Sequence, residues 1–129
     1  MDAKNRMIIP SDFRDELGNK FYIGIGFDDN YIALYAKDKF QTFIDKLMVN
    51  QMENWDVITT LSSQMNEIPM DAQGRITVPG ELCSEFELDR EIMVIGGVDH
   101  IQLWKVARWE AYIADQKKVS MKEKFKKKQ

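Results

Sequence analysis

The stretch Asp2-Ala3-Lys4-Asn5-Arg6-Met7-Ile8-Ile9-Pro10 returns 69 residues later as Asp71-Ala72-Gln73-Gly74-Arg75-Ile76-Thr77-Val78-Pro79. With no gap, the same offset lays Glu16 on Glu85, Ile23 on Ile92, Ile32 on Ile101, Leu34 on Leu103 and Ile44 on Ile113. It also lays Tyr35 on Trp104, Phe40 on Trp109 and Phe43 on Tyr112. Apolar and aromatic positions agree from residue 2 to residue 45. Such self-similarity restricts the fold more than any single motif could. The chain holds two copies of one supersecondary unit, and an isolated hairpin of this size needs a neighbour to bury its apolar side.

The repeated stretch has a physical logic. A type I turn favours Asp at its first position and Gly at its fourth, as in Asp71 to Gly74. Gly74 can take a positive φ, and Asn5, at the same place in the first copy, is the next best residue for it. Asp2 and Asp71 can accept bonds from the amides of their own turns. Arg, three strand-type residues and Pro follow, and Pro stops the strand and opens a new element.

The rest reads in the same order twice. Ser11 is expected to cap a helix over residues 12–17, closed by Gly18. Residues 21–27 alternate as a strand with Phe21, Ile23, Ile25 and Phe27 on one face. Asp28, Asp29 and Asn30 make a turn, and residues 31–35 return as a strand. A helix from about Asp38 places Phe40, Phe43, Ile44, Leu47 and Met48 at core spacing. In the second copy a helix covers residues 81–87, strands cover 91–95 and 101–104, and a helix covers 106–117. Residues 49–59 read as a loop or irregular helix, and residues 60–70 as an extended lead into the second turn. The first turn has no such strand before it, because Asp2 stands almost at the start of the sequence.

Asp-x-x-x-Arg, a short apolar strand and Pro, repeated at constant offset and each time followed by a helix, a hairpin and an aromatic-rich helix, resembles the MraZ family. These are double-repeat relatives of the AbrB and SpoVT transition-state regulators, and the resemblance runs over roughly residues 2–114. It implies an α+β fold of two tandem swapped-hairpin β-α-β-β-α units in one pseudo-symmetric domain. The first unit spans residues 1–48, the connector 49–59, the second unit 60–116, and a basic, disordered tail 117–129. It further implies a ring-shaped homo-oligomer that binds repeats in promoter double-stranded DNA. The implied role is a sequence-specific repressor of a bacterial division and cell-wall gene cluster, cytoplasmic and associated with the nucleoid.

Residue by residue, the resemblance makes Arg6 and Arg75 the DNA-contacting arginines. Lys4 and Arg14 add charge beside Arg6, while Asp2, Asn5, Asp71 and Gly74 shape the turns. In the second copy Gln73 replaces Lys4, and Cys83 stands where the family keeps an arginine, so contact is expected to be lopsided towards the first copy. From the residues alone, each arginine could instead fold back on the Asp four positions earlier and only stiffen its turn.

Charge opposes the DNA reading. The net charge is −3, but residues 117–129 hold seven Lys against Glu123, leaving −9 on the other 116 residues. An acidic body tolerates a polyanion only where its cations gather on one surface. The acidic body, the missing strand and Cys83 fit a second reading, a protein-interaction module or antitoxin-like regulator of the same fold. The Lys-rich end is either a solvated tail or a source of non-specific attraction to DNA.

Other classes find little support. One Cys and one His fall short of a zinc site. His100 reads as a surface turn residue with no local catalytic partner, and the glycine pairs do not open a helix as a phosphate loop would. No enzyme activity, cofactor, small-molecule substrate or membrane span is expected. A lone Cys83 fits a reducing cytosol. The aromatics Tyr35, Phe40, Phe43, Trp104, Trp109 and Tyr112 recur at equivalent places and read as core rather than as a base-stacking platform.

Overall fold

A computed structural model describes residues 1–26 and 29–117. The expectations for Phe27, Asp28 and the basic tail beyond Lys117 lie outside the described residues. In chain order the elements are β1 (Arg6–Ile8), α1 (Ser11–Leu17), β2 (Lys20–Ile25), β3 (Ile32–Tyr35), α2 (Lys37–Met48) and α3 (Gln51–Gln64). The second half gives β4 (Asn66–Pro69), β5 (Arg75–Thr77), α4 (Gly80–Glu85), β6 (Ile92–Gly96), β7 (Ile101–Lys105) and α5 (Val106–Lys117).

The strands form a two-stranded ribbon, β1–β5, and a five-stranded sheet in the order β4-β2-β3-β7-β6. Every neighbouring pair is antiparallel. The halves interleave: β4 of the second half pairs with β2 of the first, and the motif strands pair with each other rather than joining the larger sheet. In the ribbon Met7 faces Ile76, and in the sheet Ala33 faces Gln102. Both pairs join residues 69 apart, so one pseudo-twofold axis passes through both and relates the copies.

Alternation along the strands divides the core. Ile32 and Leu34 point into a cluster with Phe21, Ile23, Leu103 and the ribbon residues Met7, Ile9, Ile76 and Val78. Ala33 and Tyr35 point the other way, into an aromatic cluster with Trp104 that Phe40, Trp109 and Tyr112 cover. The α+β fold of two tandem units is as expected, and the six recurring aromatics pack together.

Four local expectations are corrected. Ser11 is the first residue of α1 and caps nothing; Pro10 holds the preceding position with φ −53°. Residues 51–64 are one continuous helix, so of the two readings for residues 49–59 the helical one holds and residues 60–64 are not extended; its buried residues are Ile58 and Leu61, and Asn54 Nδ2 ties it to the Leu47 carbonyl of α2 at 2.9 Å. No residue of α2 is fully buried; its apolar side chains lie half-buried over the face of β2 and β3, with Phe40 against Tyr22 and Tyr35. The match of Ile23 to Ile92 does not hold. Met70 N donates to Asn19 O as Met1 N does to Arg90 O, and Gly26 N donates to Tyr31 O as Gly97 N does to His100 O. Asn19 to Arg90 and Gly26 to Gly97 are 71 apart, whereas Tyr31 to His100 are 69 apart. The second copy has two extra residues before β6 and two fewer in its hairpin loop. The true counterparts are therefore Phe21 with Ile92, Tyr22 with Met93 and Ile23 with Val94.

Candidate nucleic-acid interface

The two turns are built alike. Asp2 Oδ1 accepts the backbone N–H groups of Lys4 and Arg6 at 2.9 Å each, and Oδ2 accepts Arg6 Nε at 2.8 Å. Asp71 Oδ1 accepts those of Gln73 and Arg75 at 2.9 Å each, and Oδ2 accepts Arg75 Nε at 3.0 Å. The backbone N–H of the arginine foremost, against an opposing cost of desolvation, holds each carboxyl below the usual carboxylate range. Both turns therefore keep their carboxylate charge at neutral pH. Asn5 and Gly74 take φ of 62° and 80°, the left-handed geometry their residue types favour. Ile9 N donates to Gly74 O and Val78 N to Asn5 O, both at 2.8 Å, so each turn is clamped by the strand end of the other copy.

The ribbon decides which side chains share a face. Met7 and Ile76 are buried, so Arg6, Ile8, Arg75 and Thr77 all point outward. Arg6 stands opposite Thr77, and Ile8 opposite Arg75. The arginine side chains are 43% and 45% exposed. The fold-back reading and the contact reading turn out to be compatible. Each Nε is pinned to its Asp, while the outer nitrogens remain at the surface, Nη2 of Arg75 donating to Gln73 Oε1 at 2.8 Å. Arg90 lines the same cleft as Arg6 and Arg75. Ile8, Thr77 and Arg90 were missed in the sequence; the i, i+2 alternation of the motif strand would have found the first two.

Arg14 is brought to a different place from the one expected. Its Nε donates to Ile9 O at 2.8 Å, and a Cβ placed on Gly74 would lie 2.2 Å from that Nε. The exchange of halves carries α1 over the second turn, so Arg14 adds its charge to Arg75. Cys83, its counterpart, makes long contacts of 3.8 Å to Val78 O, the equivalent carbonyl, and to Met1 Sδ, and lines an open cleft with Asn5. Lys4 thus belongs to the turn of the first copy, while Arg14 lies against the turn of the second. Among the described residues the Lys4 ammonium makes no ion pair.

Gly74→Ala is expected to destabilise by about 1–3 kcal/mol, because it adds a left-handed residue and pushes Arg14 aside. Asn5→Ala should cost less, since the backbone there already carries a Cβ at φ 62°. Urea denaturation checks this, and equal losses for the two variants would contradict it.

His100 is corrected as well. It is not a surface residue: its side chain is 16% exposed, stacked on Tyr31 and Tyr35, with Nδ1 2.7 Å from Asp99 and Nε2 3.2 Å from Tyr31 Oη. Tyr35 has its hydroxyl pushed far up by burial and by Asp99. This group belongs to the aromatic core. Among the described residues no group of three or more His, Cys, Asp or Glu could hold a metal ion, and no helix is long and apolar enough to cross a membrane.

Comparison with known proteins agrees with the repeat. The family profile described as "MraZ protein, putative antitoxin-like" matches residues 1–60 and again residues 61–129. A "Transcriptional regulator MraZ" from Alkaliphilus metalliredigens (strain QYMF) is 35% identical over 118 residues, covering 89% of this chain and 82% of the relative. The protein of that name from Moorella thermoacetica is 36% identical over 115 residues, 87% and 80% of the two chains. One from Salinispora arenicola is 33% identical over 119 residues, 89% and 82%. With both halves matched, and with relatives of this identity over most of its length, the chain belongs to the MraZ family, whose members named here are transcriptional regulators.

Proposed function

We propose that the protein regulates transcription by binding DNA sequence-specifically, as a repressor, with the outer face of the β1–β5 ribbon. The observation that carries this is the placement of Arg6 and Arg75 on one exposed face of a two-stranded ribbon, each fixed at Nε with its outer nitrogens presented. The major groove admits a two-stranded ribbon, and a guanidinium can bind the O6 and N7 of guanine with two bonds. Thr77 can donate or accept at a base edge, and Ile8, 60% exposed, can meet a thymine methyl. Lys4 and Arg14 reach flanking phosphates, which fix register without reading sequence. Lys4 against Gln73, and Asn5 against Gly74, break the pseudo-twofold symmetry, so a site read this way has a direction.

Residues 1–48 and 60–116 act as the two repeats of one reading unit, joined through 49–59. The acidic body, at −9 without its tail, opposes tight binding by one protomer. A ring-shaped homo-oligomer answers this by linking several weak contacts. Its operator holds short repeats in one orientation, about one helical turn apart. The family resemblance gives the target as a division and cell-wall gene cluster, with action at the nucleoid in the cytoplasm. The alternative, a protein-interaction module, is favoured by Val49, Met52 and Trp55, which stand 81%, 93% and 57% exposed around the start of α3.

Fluorescence anisotropy with the duplex upstream of the protein's own gene, against a shuffled duplex, tests the proposal. Preference for the native duplex should reach about 10³-fold or more, with affinity falling steeply as salt rises. Equal binding to both duplexes, or none, would transfer the case to the interaction module.

A further inference from the structure

Ile9 N donates to Gly74 O and Val78 N to Asn5 O. The alternation of an antiparallel ladder then makes Arg6–Thr77 and Ile8–Arg75 the pairs whose own residues exchange no hydrogen bonds. Side chains stand closest in such pairs. Each arginine is therefore flanked across the ribbon by one short side chain, Arg6 by Thr77 and Arg75 by Ile8. The pseudo-twofold axis exchanges Arg6 with Arg75 and Ile8 with Thr77. Of the four outward residues, the arginines are the same in both copies, and Ile8 against Thr77 is the one difference. Both are exposed. Thr77 is exposed even though Ile68, Pro69 and Met70 line a cleft with it, so the exposure belongs to this strand position and not to one copy.

Resting on the DNA reading above, we infer that Ile8 gives the bound site its direction, by selecting a thymine beside the guanine that Arg75 takes. The Cβ atoms of such a cross-strand pair lie about 4.5–5.5 Å apart, on the order of one base-pair rise, so the neighbour of each arginine meets an adjoining base pair. Ile8 has no hydrogen-bonding group in its side chain. It packs on the C5 methyl of thymine, and against another base it strips a polar edge of water without replacing the bond. Thr77 has a hydroxyl that donates and accepts, so it can answer any base there. One end of the site therefore reads guanine with an adjoining thymine, and the other reads guanine with an unselected neighbour. The aim of the two arginines differs in the same sense. Gln73 Oε1 holds Nη2 of Arg75 at 2.8 Å, whereas Lys4, in the same place beside Arg6, has no side-chain acceptor to offer. Discrimination concentrates at the Ile8 end.

The test uses the full chain and the duplex upstream of its own gene, with each thymine in turn replaced by deoxyuridine, which removes the C5 methyl alone. For the wild type, one such replacement in each bound repeat should weaken binding by about fourfold, the value of one buried methyl group. Ile8→Thr should bind thymine and deoxyuridine equally at that position. Thr77→Ile should gain a thymine preference at the opposite end, seen as a second, twofold-related thymine among duplexes selected from a pool randomised within the repeat. Both changes exchange one exposed β-branched residue for another, so the thermal midpoint should stay within about 4 °C. Should Ile8→Thr misfold, Thr77→Ile carries the test, because a gained preference cannot come from lost folding. If the wild type prefers the native duplex to a shuffled one but no thymine is sensitive, or if Ile8→Thr keeps the sensitivity, the inference is overturned and the DNA reading stands. If the wild type binds native and shuffled duplexes alike, that reading falls and the inference with it.

Discussion

Trp104→Ala is expected to cost about 3–5 kcal/mol of folding stability, the usual loss for truncating a buried large aromatic. Trp104 is 2% exposed. Its ring lies 5.3 Å from Tyr31, 5.2 Å from Trp109 and 5.0 Å from Tyr112, between centroids. Its indole N–H donates to Gln102 Oε1 at 2.9 Å, so truncation also strips that amide of a partner. Domains of this size hold about 5–15 kcal/mol in total, which makes the loss a large share. The thermal midpoint should fall by about 10–20 °C. Trp55→Ala is the control: at 57% exposure it should stay within about 0.5 kcal/mol. The shape of the transition matters as much as its position. Tyr31 and Tyr35 belong to the first half and Trp104 to the second, so the halves share this cluster. Urea unfolding of the variant should remain a single transition. A second transition left at the wild-type midpoint would mean that the halves fold separately.

The parts of the fold that were legible in the sequence are those decided locally. The turn of Asp2 and that of Asp71 follow from residue type alone, because Asp, Asn and Gly each fit one backbone geometry. Helix α5 follows from the spacing of Trp109, Tyr112 and Ile113. What could not be read depends on the exchange of halves. Arg14 is eight residues from Arg6, so local reasoning puts the two side by side, yet the swap carries α1 across to Gly74. His100 lies next to a hairpin turn, and only residues 69 and 65 positions away, Tyr31 and Tyr35, close over it. The shift of β6 was hidden for another reason. Two residues gained before the strand and two lost after it cancel, so the flanking matches stay in register while the strand between them slips. The regularity of helix α3 and its run past residue 59 were not legible because its inward face is narrow: Ile58 and Leu61 alone are buried, and Asn, Asp and Thr weaken its helical signal.

Replacing Arg6 and Arg75 together by alanine should remove most sequence-specific DNA binding while leaving the fold in place. The fold survives because each arginine–aspartate link is a half-exposed ion pair, worth about 0–1 kcal/mol. Each Asp also keeps two backbone N–H donors, so the turn does not open. The DNA side has no such reserve. One arginine bound to a base edge contributes about 1–3 kcal/mol, so a single alanine should weaken binding by about 5- to 150-fold. In an assembly the loss recurs at every protomer, and linked contacts multiply it. Lysine variants separate the two kinds of contact. Lysine keeps the charge and discards the planar fork, so Arg6→Lys and Arg75→Lys should retain most affinity if the arginines meet phosphates and lose specificity if they meet guanine. The salt slope gives an independent reading: it falls by about one for each phosphate contact removed and stays put when a base contact is lost. Anisotropy across a salt series, with light scattering to hold oligomer size constant, gives all of these quantities from one set of proteins. A double alanine variant that binds the native duplex as wild type does would leave the turns with a structural role alone.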